Sequence, residues 1–140
     1  MISICSTSKR TILCINYDDS IIRYEKALLE RSGYAVLKAE STQQALRLVT
    51  MCKCDAVLLD YDMFEMSGCD IGFDIKLVRP ELKVVLLSGR PVLMQALASV
   101  DAVVPKLEAS RQLLPMIADI CNRSQDSKGA ARQSPEYNRQ

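Results

Sequence analysis

The 140-residue chain has no histidine, and no apolar run approaches the roughly 20 residues of a membrane span. Without imidazole, a zinc set would have to be built from thiolates and carboxylates alone. Of the six cysteines, Cys52 and Cys54 form a C-x-C, not the C-x-x-C of zinc knuckles and redox helices. Cys14 falls in an apolar strand-like run and Cys121 ends a helical one, so both read as small buried hydrophobes. The opening MISICSTSKRTILCI lacks an apolar core long enough for a signal peptide, and its basic residues follow the first apolar patch. These absences predict a cytoplasmic chain with reduced thiols. An excess of one charge is missing too: the net charge is +1, and the last 18 residues carry four basic and two acidic groups, leaving a body at −1. Nothing global therefore favours nucleic acid or an anionic membrane as partner.

What is present is an alternation of short β-rich runs with helical stretches, in a length suited to one domain. The strand candidates are TILCI (11–15), YAVLKA (34–39), DAVLLD (55–60), KVVLLS (83–88) and DAVVP (101–105). After Asp19 or Ser20, either of which can cap, Ile21, Tyr24 and Leu28 mark one helix face, and Gly33 stops that helix. Ser41-x-x-Gln44 is a capping box opening a helix through Ala45, Leu46 and Val49. Ile71, Ile75 and Val78 mark a third helix, ended by Pro80. Pro91 opens a short fourth through Leu97, and a fifth from about Glu108 to Cys121 buries Leu113, Leu114, Ile117 and Ile120, with Pro115 inside it. Five β-α units predict an α/β fold: a doubly wound parallel sheet with helices on both faces. The predicted boundaries are a short extension over 1–10, a folded body over 11–122 and a disordered polar tail over 123–140.

Doubly wound sheets bind ligands at the carboxyl ends of their strands. Those ends carry Asn16-Tyr17, Asp60, Ser88 and Pro105-Lys106. A carboxylate flanked by an ammonium and a hydroxyl suits phosphoryl acceptance. The carboxylate attacks, Lys106 neutralises developing charge, and Ser88 binds a phosphoryl oxygen. Such transfer normally uses Mg²⁺. An FMN-carrier reading fails for want of a Gly/Ser/Thr-rich phosphate loop after the first strand.

With these residues in place, the chain resembles a response-regulator receiver domain, the phospho-acceptor half of two-component signalling, over residues 11–120. DAVLLDYDMFEMSG is similar to the family's run into D-x-x-M-P-x-x-x-G, with Asp60 at the phospho-acceptor place, Met63, Gly68, and Phe64 where Pro is usual. GYAVLKAESTQQAL resembles the second strand and following helix, VVLLSG the fourth strand with Ser88, and VDAVVPK the fifth with Lys106. The resemblance implies a flavodoxin-like strand order 2-1-3-4-5. It also implies transfer to Asp60 from a histidine kinase or phosphotransfer protein, assisted by Mg²⁺, with slow self-dephosphorylation and no second enzymatic activity. A separate downstream protein is implied as partner, and the family analogy allows a homodimer.

The pattern breaks after the first strand. The family's pair of acids falls on Asn16-Tyr17, so the candidate metal-binding set becomes Asp60, Asp62, Asn16 and Asp18, with weakened Mg²⁺ binding. Asp19 reads better as a helix cap, while Asp18 stands between metal contact through water and a solvated surface role. Val103 takes the place of the family's common aromatic switch residue, and proline precedes the lysine instead of following it. Two readings remain: a stand-alone receiver phosphorylated on Asp60 in a phosphorelay, or a pseudo-receiver that binds proteins without phosphorylation.

Overall fold

A computed structural model describes residues 9–61, 68–92 and 94–131. The strands are β1 (Thr11–Ile15), β2 (Ala35–Ala39), β3 (Ala56–Asp60), β4 (Lys83–Ser88) and β5 (Ala102–Pro105). The helices are α1 (Asp19–Arg31), α2 (Thr42–Met51), α3 (Gly68–Val78), α4 (Met94–Leu97) and α5 (Ala109–Ala131), with a 3-10 turn at Lys106–Glu108. All strand pairs are parallel, in the order β2-β1-β3-β4-β5. Because the order reverses between β1 and β3, the loops after these two strands diverge and leave a crevice at their carboxyl ends.

Strand alternation divides the core in two. Ile12 and Cys14 of β1, Ala56 and Leu58 of β3, and Val85 and Leu87 of β4 pack with Leu29 of α1 and with Leu113, Ile117 and Ile120 of α5. Leu13, Ile15, Val57, Leu59, Val84 and Leu86 point the other way, onto Ala45 and Val49 of α2, Ile71 and Ile75 of α3, and Ala96 of α4. Both faces are covered, which is why the central strands read as unbroken apolar runs.

Several elements differ from their sequence expectation. The cap of α1 is Asp18, whose side chain accepts from the Ser20 N–H, not Asp19 or Ser20. Asp19 instead pairs with Arg23 and Lys38. The buried face of α1 is Ile22, Glu25 and Leu29, one residue round from Ile21, Tyr24 and Leu28. A glutamate sits in the true stripe, so the apolar pattern pointed to the neighbouring face. Val78 lies outside the core of α3, and α4 begins three residues after Pro91. Helix α5 runs through Pro115 to Ala131 without a break, nine residues into the expected disordered tail. Gly33 has φ +96°, and the bonds Gly33 N–H to Glu30 and Tyr34 N–H to Leu29 close α1 in a Schellman motif. Among the described residues, no helix is long and apolar enough to cross a membrane.

At the amino-terminal edge of the sheet, Asp101 joins three elements. Its Oδ2 accepts from Lys76 Nζ of α3 at 2.6 Å and from the Val84 N–H of β4 at 2.8 Å, while Lys83 Nζ lies 3.9 Å from Oδ1. Removing it leaves a half-buried ammonium with only the Leu82 carbonyl and no counter-charge from Asp101, and a strand N–H without its acceptor. Asp101→Ala is expected to destabilise the fold by about 2 kcal/mol, read as a lowered urea midpoint at unchanged m-value. Asp101→Asn, which keeps an acceptor for Val84, should lose less.

Candidate functional site

β3 delivers Asp60 to the crevice rim with only 3% of its surface exposed. A carboxylate buried to this degree requires compensation. Lys106, which opens the 3-10 turn after β5, places Nζ 3.1 Å from Oδ2. Asn16, which follows β1, donates from Nδ2 to the same oxygen at 2.8 Å. The amide orientation is fixed by its other half: Oδ1 accepts the Asp18 N–H at 2.9 Å, so the NH₂ must face Asp60. Backbone pairing carries on past both strand ends, from Asn16 N–H to Ala39 and from Tyr61 N–H to Leu87, and holds these side chains in register.

The structure therefore brings Asp60, Lys106 and Asn16 together and sets the other candidates apart. The Ser88 hydroxyl lies at the same rim but is engaged with its own loop, donating to the Arg90 carbonyl and accepting the Arg90 N–H at 3.1 Å. Asp18 is spent on the α1 cap. Hydrogen bonds from the Ser20 hydroxyl and N–H hold its carboxyl below the usual range. Asp19 is likewise held low, by the Lys38 hydrogen bond first. Tyr17 is 62% exposed. Asp62 lies outside the described residues. Mg²⁺ keeps several waters and is commonly held by one or two carboxylates. Among the described residues no three His, Cys, Asp or Glu side chains gather into a metal cluster. The donor set fits a largely hydrated Mg²⁺ anchored on Asp60, with no second carboxylate supplied by the loop after β1.

Beside the pocket, a groove of about 450 Å³ is lined by Ser88, Arg90, Val92, Leu97, Val103 and Lys106, among others. Val103 leaves open the space a larger side chain would fill. The Arg90 guanidinium sits 5.3 Å from the centre of the buried Tyr61 ring, a cation–π contact that ties the loop after β4 to the residue following Asp60.

Sequence reasoning missed Glu25. It is 3% exposed, its Oε1 has no hydrogen-bond partner, and it is hydrogen-bonded to the Cys14 thiol. Burial first, and then the charge of Asp60, push its carboxyl up to about 8; the Cys14 bond and the Lys106 charge pull weakly the other way. Burial, and then Glu25, push the Cys14 thiol well up. The spacing Ile22, Glu25, Leu29 carried the signal, a carboxylate at the centre of a core-facing stripe.

A model of the response regulator receiver domain matches residues 12–118. This chain belongs to that family. The transcriptional regulatory protein GlrR of Escherichia coli (strain K12) is 30% identical over 88 residues, covering 63% of this chain and 20% of that protein. The response regulator MprA of Mycolicibacterium vanbaalenii is 26% identical over 123 residues, covering 85% of this chain and 53% of that one. The chain thus spans only about a fifth to about half of the length of these relatives. In fold it is similar to a CheY-like receiver domain protein from Methanospirillum hungatei JF-1, with a TM-score of 0.78, 24% identity, and coverage of 86% and 99% of the two chains. It is also similar to the response regulator TrrA of Thermotoga maritima, solved in complex with Mg²⁺–BeF (TM-score 0.72, 23% identity, coverage 79% and 98%).

A carboxyl whose folded value is raised from 4.5 to about 8 stabilises the fold most fully below pH 4.5. That stability is lost as pH climbs through 8, because the unfolded chain gives up the proton more readily. Between these limits the wild type should lose roughly 2–4 kcal/mol that Glu25→Gln does not lose. Urea denaturation of both proteins across that range measures the difference.

Proposed function

We propose that this receiver domain is cytoplasmic and accepts a phosphoryl group on Asp60 from the phosphohistidine of a histidine kinase or phosphotransfer protein. The observation that carries this reading is the buried Asp60 carboxylate with Lys106 Nζ 3.1 Å away at the crevice of a receiver fold. An Asp60 oxygen attacks phosphorus, the P–N bond to the donor imidazole breaks, and an acyl phosphate forms. Lys106 is placed to follow the charge from the carboxylate to the phosphoryl oxygens, and Asn16 offers its amide N–H to the same region. For Ser88 to contact a phosphoryl oxygen, its hydroxyl must leave the Arg90 carbonyl, which would release the loop that borders the groove. Bound Mg²⁺ would neutralise charge on the transferring group. Slow hydrolysis of the acyl phosphate resets the site.

The second reading, a pseudo-receiver working without phosphorylation, is favoured by Asn16. This amide stabilises Asp60 with no cation, in a pocket whose neighbouring Tyr17 is turned outward.

Beryllofluoride with MgCl₂ separates the two readings. Backbone NMR shifts at Asp60, Ser88 and Lys106 that need both additions, and vanish in Asp60→Asn, are the expected result; silence at millimolar Mg²⁺ in the folded protein favours the pseudo-receiver. Tyr17→Asp restores a carboxylate after β1 and should tighten Mg²⁺ binding on the order of tenfold, measured by the same titration.

A further inference from the structure

Glu25 takes no part in the acceptance just described, yet it places a carboxyl with an orphaned oxygen inside an otherwise apolar layer. Its position follows from two periodicities. On α1 it lies between Ile22 and Leu29, on the face packed against the sheet. On β1, alternation sends Cys14 into the same layer as Leu58 of β3, and the next step up that layer is Asn16 beside Asp60. Glu25 meets the sheet at Cys14, two residues or about 7 Å along the strand below Asn16. The titratable groups bearing on it are Cys14 from β1, Asp60 from the end of β3 and Lys106 after β5. From α5 this layer receives Leu113, Ile117 and Ile120.

The charge balance of the pocket gives this placement a consequence. Asp60 and Lys106 form a one-to-one pair, Asn16 is neutral, and a second ionised carboxylate beneath them would repel Asp60 in a medium of low dielectric. A divalent cation reverses that balance by adding positive charge that the loop after β1 does not answer. We propose that Glu25 is the reserve carboxyl of the acceptor pocket, holding its proton while Asp60 is balanced by Lys106 and releasing it to solvent when a divalent cation is taken up at Asp60. The step is a simple ionisation: the carboxylic acid becomes a carboxylate, one proton goes to the buffer, and nothing is oxidised. With the carboxyl already raised to about 8 before the cation arrives, a tenfold fall in proton affinity half-empties the group at pH 7. The inference rests on the reading of Asp60 as a cation-assisted acceptor.

Isothermal titration of the full chain with MgCl₂ at pH 7, in two buffers of different ionisation enthalpy, counts the protons. Release of roughly half a proton or more per Mg²⁺ is expected in the wild type, falling to near zero in Glu25→Gln, which still binds Mg²⁺. Equal release from both proteins, or Mg²⁺ binding without release, overturns the proposal and leaves Asp60 as acceptor. Absence of Mg²⁺ binding in the wild type overturns the cation-assisted reading and this proposal with it. A metal-free measurement guards against a poorly folded variant. The ¹³C resonance of the Glu25 carboxyl, followed against pH, should titrate at lower pH in Asp60→Asn than in the wild type, and coincident midpoints overturn the proposal.

Discussion

The carboxylate of Asp60 is buried and charged, and the surrounding residues are arranged by the need to compensate it. Lys106 answers the charge and Asn16 supplies a donor to the same oxygen. That donor depends in turn on the loop after β1. Asp18 caps α1 through its carboxylate while its N–H fixes the Asn16 amide. The helix start and Asp60 are therefore consecutive links of one hydrogen-bond chain, and the loop that departs most from the family pattern is tightly built. A carboxylate at position 16 would face Asp60 as a like charge and would need a cation between them. An asparagine satisfies Asp60 directly.

The same constraint gives the α1/α5 layer its character. It is apolar except where α1 inserts Glu25, and the cost of that insertion is set by its distance from solvent and from Asp60. On the opposite side of the sheet the α2/α3/α4 layer is built from aliphatic side chains and Tyr61. The two layers therefore differ in electrostatic character although both are buried. Around Asp60, one side of the sheet carries the Glu25 carboxyl and the loop after β4 carries the Ser88–Arg90–Tyr61 contacts.

Much of this was legible in the sequence. Five strands appeared within a residue of their observed bounds, because parallel central strands are buried on both faces and leave unbroken apolar runs. Asp60 and Lys106 were singled out by the rule that doubly wound sheets bind ligands at their strand ends, and the fold brings them within 3.1 Å of each other. The helix faces were harder to read. Apolar spacing on α1 selected the Ile21 face because the true face contains a glutamate, so the rule failed where the chemistry was unusual. The cap was misplaced by one residue because three adjacent side chains, Asp18, Asp19 and Ser20, are all competent caps and only tertiary contacts choose among them: Lys38 draws Asp19 away. Ser88 was placed correctly at the rim, yet its engagement with Arg90 depends on a loop conformation that composition does not encode.

The Asp101 clip makes the two ends of the sheet mechanically unlike. At the foot of β4 a single carboxylate fastens the helix before the strand, the strand itself and the turn into β5. At the top, the same two strands end in residues that must change partners if a ligand arrives. The β4–β5 pair is thus clipped at its base by one carboxylate, whereas at the rim Ser88 is held by the Arg90 backbone and Lys106 by Asp60.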